Sequence, residues 1–189
     1  MDRSDPHQHP DGHCHVNGYH VLLQVTGAAD VQAESGEGVT SFFTLFSIKK
    51  LDMRKITLLI VHCSATPEGK DYGAADIDRW HRQKGWSQIG YHYVVRLDGT
   101  IERGRPESVV GAHCQHHNRH SIGICYIGGL SGDGKPADTR TSAQRTALLH
   151  LLKSLHERYP RAVIVGHNTF AHKSCPCFDA TAEYAALQP

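Results

Sequence analysis

The strongest constraint on the fold is a short apolar run about a third of the way along the chain, from residue 56 to residue 63. Both of its alternating faces are apolar, with Ile56, Leu58 and Ile60 on one and Leu59, Val61 and Cys63 on the other. A strand with this pattern is covered by other elements on both sides, as in an α/β sheet. The run therefore predicts a buried central strand, with His62 at its C-terminal end and Cys63 as a core thiol.

Further strands and helices follow this run at spacings typical of one mixed domain. Thr141 and Gln144 form a capping-box pattern at the start of the clearest helix, and Asp98-Gly99 is typical of a β-hairpin turn. Helices are predicted over residues 74–84, 141–159 and 179–187, and strands over 91–97, 100–102, 121–127 and 162–165. The fold class predicted is α/β, a single domain with a central mixed β-sheet flanked by helices.

Residues 1–52 differ in composition from the rest of the 189-residue chain. They are rich in histidine, glycine and acidic residues and show no apolar periodicity, a composition that favours disorder. We therefore expect a disordered extension over 1–52 and a folded catalytic domain over 53–189, with Met53 as an alternative translation start. The extension has no basic region followed by an apolar signal core, so we expect synthesis in the cytoplasm.

Composition excludes several classes of partner. The 20 basic and 19 acidic side chains give a net charge of +1, which offers no surface field for a nucleic acid. No apolar run reaches the roughly 20 residues of a membrane span, so we expect no membrane insertion. The six cysteines follow no compact secreted framework, which favours reduced thiols. We expect a monomer.

Three side chains suited to metal binding lie at or near predicted strand ends. His62 ends the apolar run, His167 follows the strand at 162–165, and Cys175 lies eight residues further on. Two imidazoles and a thiolate are good ligands for tetrahedral zinc and leave one position for water. A structural site would add a fourth ligand at short spacing, so the pattern favours one catalytic Zn²⁺ per chain. Cys177, two residues later, is a rival ligand.

Five sequence blocks between about Ile56 and Asp179 carry a resemblance to a known family. They are Ile-Val-His-Cys-Ser-Ala-Thr at 60–66, Ile-Gly-Tyr-His-Tyr-Val-Val-Arg-Leu-Asp-Gly-Thr-Ile at 89–101, Glu-Arg-Gly-Arg-Pro at 102–106, Gly-Ala-His-Cys-Gln-His-His-Asn-Arg-His-Ser-Ile-Gly-Ile at 111–124, and the block from Gly-His to Cys-Pro at 166–176. In this order they resemble the zinc-dependent N-acetylmuramoyl-L-alanine amidases of the type-2 amidase and peptidoglycan recognition protein superfamily. The chain looks more like the phage lysozyme-like amidases than like the recognition proteins, because the latter often lack the family's lysine.

The resemblance implies a reaction and a metal. Family members hydrolyse the amide between the lactyl group of N-acetylmuramic acid and the first L-alanine of the stem peptide, so peptidoglycan or a muropeptide is the expected substrate. The resemblance also implies that His62, His167 and Cys175 hold the zinc, because the family's spacing from His167 selects Cys175 over Cys177. Zinc there would make hydroxide available at neutral pH and polarise the carbonyl.

The resemblance further implies four residues that act on the substrate. Tyr91 and Lys173 match the family's catalytic tyrosine and lysine. A lysine ammonium would stabilise the developing oxyanion, and a tyrosine hydroxyl would orient the attacking water. His113 and Asn118 match positions that line the substrate groove.

Two alternative functions fit parts of the sequence. One is a recognition module of the same fold that binds peptidoglycan without cutting it, although such proteins usually lack the cysteine ligand that Cys175 supplies here. The other is a nuclease of the His-Asn-His type, suggested by the segment from His116 to His120. That segment lacks the flanking elements such nucleases need, and the near-neutral charge gives no phosphate-binding face.

Overall fold

The computed structural model describes residues 54–189. The expected extension over residues 1–52 and the alternative start at Met53 lie outside the described residues. Seven strands and three α-helices are present in this part of the chain. In order, they are β1 Leu58–Cys63, β2 Thr66–Pro67, α1 Ala74–Gln83, β3 Tyr93–Val95, β4 Ile101–Arg103, β5 Ser121–Tyr126, β6 Gly129–Leu130, α2 Ser142–Arg158, β7 Val163–Gly166 and α3 Ala180–Glu183.

Five of these strands form the main sheet, in the order β4-β3-β5-β1-β7. β1 lies at the interior of the sheet and pairs in parallel with both β5 and β7. β3 is parallel to β5, and only β4 runs antiparallel, as the partner of β3. β2 and β6 form a separate parallel pair. The predicted α/β fold with a central mixed sheet is confirmed.

Helix α2 covers one face of β1 and residues of the connecting loops cover the other, which explains why β1 is apolar on both. On one face, Leu148, Leu152 and Leu155 of α2 pack against a cluster that includes Leu59 and Val61. On the other face, Ile77 of α1 belongs to a second cluster, with β3 and β5 residues. Ile60 of β1 packs on that face with Cys114 and Val165. Burial of this apolar area is the main stabilising term of the domain.

The first turn of α2 is fixed by the predicted capping box. The Thr141 hydroxyl accepts a hydrogen bond from the Gln144 backbone N–H, and the Gln144 Oε1 atom accepts one from the Thr141 N–H. The buried Gln144 amide also donates to the carbonyl groups of Val95 and Ile127. The same side chain therefore starts the helix and attaches it to the sheet.

Two predicted elements differ from the structure in detail. The hairpin between β3 and β4 is present, but its loop is longer than the two residues, Asp98 and Gly99, that lie between the predicted strands. The backbone N–H of Arg96 donates to the Thr100 carbonyl, so the loop has three residues. Gly99 is the last of them and has a φ of +87°. The predicted C-terminal helix over 179–187 is two short pieces, α3 and a 3₁₀ turn at Ala185–Leu187. Tyr184 lies between the pieces, where its backbone leaves α-helical geometry at φ −104° and ψ 25°.

Two further properties of the described residues concern the state of the cysteines and the length of the apolar helices. Cys63, Cys114, Cys125, Cys175 and Cys177 are all free thiols. No helix within residues 54–189 has both the length and the apolar character that a bilayer crossing requires.

Candidate metal centre

The candidate metal centre lies at the C-terminal edge of the sheet, where β1 and β7 end. Val61 pairs with Gly166 across these two parallel strands. The next residue on each strand is a histidine, so the register alone brings His62 and His167 side by side. Their ring centroids are 4.6 Å apart. His62 is buried, whereas His167 begins a 3₁₀ turn and is half-buried.

The loop after this turn returns Cys175 to the same point. The backbone N–H of Asn168 donates to the Cys175 carbonyl over 2.7 Å, and the backbone N–H of Cys63 donates to the Cys175 Sγ atom over 3.2 Å. The hydroxyl of buried Tyr126 donates to the carbonyl of the next residue, Pro176. These bonds fix the thiol beside the end of β1.

The donor atoms of His62, His167 and Cys175 lie within 4.8 Å of one another. The Cys175 Sγ atom is 3.8 Å from the His62 Nδ1 atom. A sulfur and a nitrogen bound to one tetrahedral zinc ion are separated by about 3.6 Å, given the usual bond lengths. The residues present therefore fit a zinc ion in both donor chemistry and spacing.

Cys177, the rival thiol, points away from this cluster. Its Sγ atom lies 3.8 Å from the Cys63 Sγ atom and 3.3 Å from the Gly129 carbonyl. Cys63 itself packs in the α2-side core cluster, as expected for a core thiol. Within residues 54–189, His62, His167 and Cys175 form the group that could hold a metal.

The electrostatic environment favours the neutral form of both imidazoles. Burial lowers the pKa of His62 well below its ordinary value, and the neighbouring His113, His167 and Lys173 lower it further. Burial and then the charge of Lys173 lower the pKa of His167. A histidine binds metal through an unprotonated nitrogen, so these shifts favour ligation at neutral pH.

Tyr91 lies directly beside this cluster. Its ring centroid is 5.1 Å from that of His62. Burial raises the pKa of the Tyr91 phenol well above its ordinary value, and nearby thiols raise it further. The phenol is therefore neutral near pH 7 and suited to hydrogen bonding rather than to acting as an anionic base. Tyr91 precedes β3, contrary to the predicted start of that strand, but its carbonyl still accepts from the Arg105 N–H.

Two cavities meet at the group formed by His62, His167 and Cys175. The larger, of about 480 Å³, is lined by Trp86, His113, Asn118, Phe170 and other residues. The smaller, of about 310 Å³, is lined by Trp80, His81, Tyr91, Cys175 and others. His167 and Lys173 border both cavities, and Lys173 is exposed. A substrate that occupied both cavities would cross the cluster in front of the lysine.

The two predicted groove residues have additional contacts. The Nδ1 atom of His113 lies 3.0 Å from the Nε2 atom of His62, so His113 contacts a candidate ligand as well as the larger cavity. The Oδ1 atom of Asn118 accepts hydrogen bonds from the backbone N–H groups of His113 and Cys114. Asn118 therefore holds the loop that carries His113, and it also lines the larger cavity.

Several aromatic residues of the cavities were not expected from the sequence. Phe170 stacks on His117, with ring centroids 3.9 Å apart, and Trp86 packs against His81 at 4.4 Å. Trp86 is 40% exposed, which is unusual for so large an apolar side chain. The sequence offered one sign of this residue: it follows Gly85 in a polar stretch, where a side chain is expected to be exposed. An exposed aromatic side chain often marks a binding surface.

Known proteins that resemble this chain in sequence and in structure include amidases and peptidoglycan recognition proteins. The family model described as N-acetylmuramoyl-L-alanine amidase matches residues 52–178. The chain belongs to this amidase family. It is 44% identical over 119 residues to the endolysin of Enterobacteria phage K11, a match that covers 63% of this chain and 79% of the phage protein.

Solved structures show the same fold. The amidase LysC from Clostridium intestinale superposes with a TM-score of 0.59 at 30% identity, covering 69% of this chain and 82% of LysC. Drosophila PGRP-LB also superposes with a TM-score of 0.59, at 25% identity, covering 69% of this chain and 80% of its own. The predicted superfamily and the predicted enzyme class, an amidase, are confirmed.

Proposed function

We propose that this amidase uses one zinc ion to hydrolyse the bond between N-acetylmuramic acid and L-alanine in peptidoglycan. His62, His167 and Cys175 hold the ion in this proposal. The observation that carries it is the convergence of their donor atoms within 4.8 Å at the junction of two cavities. Three ligands leave a tetrahedral position for water, as in catalytic rather than structural zinc sites.

The zinc ion supplies Lewis acidity and brings the ionisation of water into the neutral range. The chain's own residues then act on the substrate. Tyr91, as a neutral phenol beside His62, orients the attacking water by hydrogen bonding. Lys173, at the border of both cavities, places its ammonium group where negative charge develops on the lactyl carbonyl oxygen.

The two cavities suggest how a branched substrate is held. The scissile amide joins a glycan to a peptide, and each part requires its own surface on either side of the metal. The larger cavity offers the stacked aromatic Phe170 and the polar groups of His113 and Asn118. Preformed clefts that combine aromatic surface with convergent polar groups are typical of ligand sites. Binding there, beside the metal, orients the amide for attack.

His62, His167 and Cys175 converge without help from a second copy of the chain, so the ligand set needs no partner subunit to supply a residue. We therefore propose that the active species is a monomer. Light scattering of the zinc-loaded protein should give a mass near 20.9 kDa. A stable dimer as the sole active species would contradict this part of the proposal.

The proposal is tested by incubating zinc-loaded protein with purified peptidoglycan. Mass spectrometry should find free stem peptides that begin at L-alanine. The matched variant Cys175→Ala should release none, because it lacks the thiol of the cluster. The alternative of a binding module predicts that the parent protein is retained on peptidoglycan without releasing peptides.

A further inference from the structure

A line of hydrogen-bonding groups extends from His62 away from the candidate metal position. The His62 Nε2 atom lies 3.0 Å from His113 Nδ1, and the His113 Nε2 atom lies 3.3 Å from the Ser121 Oγ atom. Ser121 Oγ lies 2.8 Å from the carbonyl oxygen of His117. Ser121 is fully buried at the first position of β5, so water does not compete for its hydroxyl.

The carbonyl at the far end fixes the direction of every bond in this line. A carbonyl oxygen only accepts, so the Ser121 hydroxyl must donate its hydrogen to His117. Ser121 Oγ is then left as an acceptor, and His113 must carry its hydrogen on Nε2. His113 Nδ1 is therefore an acceptor, and the hydrogen between the two imidazoles belongs to His62 Nε2.

This direction determines which nitrogen of His62 is free. A neutral imidazole carries one hydrogen, so a hydrogen on Nε2 leaves Nδ1 with an unshared electron pair. His62 Nδ1 is the atom that lies 3.8 Å from the Cys175 Sγ atom. The bonded nitrogen thus faces the interior, and the free nitrogen faces the other candidate ligands.

The position of the His113 ring depends on two glycines. A Cβ atom on Gly123 would lie 2.5 Å from ring atoms of His113, and one on Gly111 would lie 2.6 Å from the ring. The ring therefore lies against bare backbone, where any larger side chain would displace it. Asn118 holds the backbone of His113 from the other side through its Oδ1 atom. The ring is fixed by packing as well as by hydrogen bonding.

We propose that Ser121, acting through His113, is a positioning residue that sets the tautomer of His62 and directs its Nδ1 atom to the metal. The proposal rests on the ligand set of the proposed function. A group that hydrogen-bonds to the second ring nitrogen of a metal-binding histidine orients the ring and raises the affinity of the site for the ion. His113 then has two roles, because the same ring also borders the larger cavity.

The tautomer can be measured without any metal. The full chain, labelled with ¹⁵N-histidine and treated with a chelator, should show His62 protonated on Nε2 in long-range ¹H–¹⁵N correlation spectra at neutral pH. The His62 signals are assigned by their loss in His62→Gln. In Ser121→Ala, His113 loses its acceptor, and His62 should become a mixture of tautomers. A parent spectrum with the hydrogen on Nδ1, or an unchanged spectrum in Ser121→Ala, would overturn the proposal.

Zinc affinity gives a second and independent measurement. Ser121→Ala should weaken binding of Zn²⁺ by about 10- to 100-fold in competition with a chelating dye. The control is Thr57→Val, which removes a nearby hydroxyl that contacts the His120 carbonyl but no imidazole. Its affinity should stay within about twofold of the parent value. Equal affinities for Ser121→Ala and the parent would overturn the proposal.

A pair of variants at His113 separates positioning from general packing. His113→Asn keeps an acceptor oxygen near the place of Nδ1, whereas His113→Ala keeps none. Zinc affinity should therefore be lower in His113→Ala than in His113→Asn, and equal losses would contradict the proposal. Failure of the parent to bind zinc would instead count against the proposed function, and the metal-free spectra would still decide the tautomer.

Discussion

The backbone N–H of Cys63 donates a hydrogen bond to the Sγ atom of Cys175 across 3.2 Å. This bond joins the end of β1 to a loop 112 residues further along the chain. Because Cys63 directly follows His62, the thiol is held by the strand that carries one of its partner imidazoles. The same strand end therefore positions two of the three candidate ligands, which limits the conformational freedom that the site loses when it binds zinc.

The two cysteines of the loop give a direct test of ligand identity. Cys175→Ser should lose zinc, because a neutral hydroxyl is a poor substitute for a thiolate. Cys177→Ser should keep zinc, since its sulfur faces Cys63 and Gly129 rather than the cluster. Elemental analysis of the two purified variants checks this prediction. Full zinc in Cys175→Ser and loss in Cys177→Ser would reverse the assignment.

Lys173→Ala should keep its zinc and lose most of its turnover. The ammonium acts mainly as negative charge develops, so the loss should appear in kcat more than in KM. Removal of one stabilising donor typically costs about 10²- to 10³-fold. The matched control is His172→Ala, an exposed neighbour on the same loop that lines neither cavity. Turnover of Lys173→Ala within about threefold of the control would exclude this role.

Arg140 should be one of the most sensitive positions for stability. Its side chain is fully buried and bonds to Asp138 and Glu183, and its guanidinium lies 3.2 Å from the ring centroid of Phe178. Burial alone would raise the pKa of Asp138, but the hydrogen bonds and charge of Arg140 lower it to about 2. Arg140→Ala removes the hydrogen bonds to both carboxylates, which are 25% and 34% exposed, so it should lower the free energy of unfolding by about 1–3 kcal/mol.

The control for Arg140 is an exposed arginine that bonds to the same carboxylates. Arg145 contacts Asp138 and Glu183, but 44% of its side chain is exposed. Surface ion pairs contribute about 0–1 kcal/mol, so Arg145→Ala should have a small effect. Denaturant unfolding at neutral pH measures both variants. Similar losses in the two would show that burial of Arg140 has no special importance.

Stability should fall as the pH drops below about 6.5, partly because of His92. Burial, and to a smaller degree the charge of Arg54, lower its pKa from 6.5 to about 4, although a hydrogen bond to the Val109 carbonyl opposes this. The unfolded chain therefore binds more protons than the folded chain between these two values. The stabilisation is fully present above about 6.5 and is lost as the pH falls towards 4.

The contribution of His92 is on the order of 2 kcal/mol between pH 7 and pH 5. His92→Asn cannot titrate in this range, and its side-chain oxygen can still accept from the Gly123 N–H that His92 Nδ1 accepts in the parent. Urea unfolding at several pH values should therefore give a shallower pH dependence for the variant. The same slope in both proteins would mean that other groups account for the acid sensitivity.

Much of the fold followed from local sequence patterns. The two-faced apolar pattern of residues 56–63 correctly predicted a covered central strand, and the Thr141–Gln144 pattern correctly predicted the start of α2. Both patterns depend on neighbours in the sequence, which is why they could be read from it. The break in the C-terminal helix could not, because no glycine or proline marks the position of Tyr184 in the sequence.

The site was partly predictable for the same reason. His62 and His167 could be expected together because parallel strands end at one edge of a sheet. The link from His62 through His113 to Ser121 could not be expected. It requires two glycines, Gly111 and Gly123, that leave space for one ring, and neither glycine shows this in the sequence. Which thiol faces the cluster also depended on loop geometry, where Cys175 and Cys177 point in different directions.

The proposed reaction is cleavage of the amide between the glycan and L-alanine with the aid of zinc at His62, His167 and Cys175. The most direct test is mass spectrometry of purified peptidoglycan after treatment with zinc-loaded protein, chelator-treated protein and chelator-treated protein with zinc restored. We predict stem peptides with a free L-alanine amine and glycan strands with free lactyl carboxyl groups, from the first and third samples alone. Cleavage within the glycan or the stem peptide, or equal cleavage in all three samples, would contradict the account.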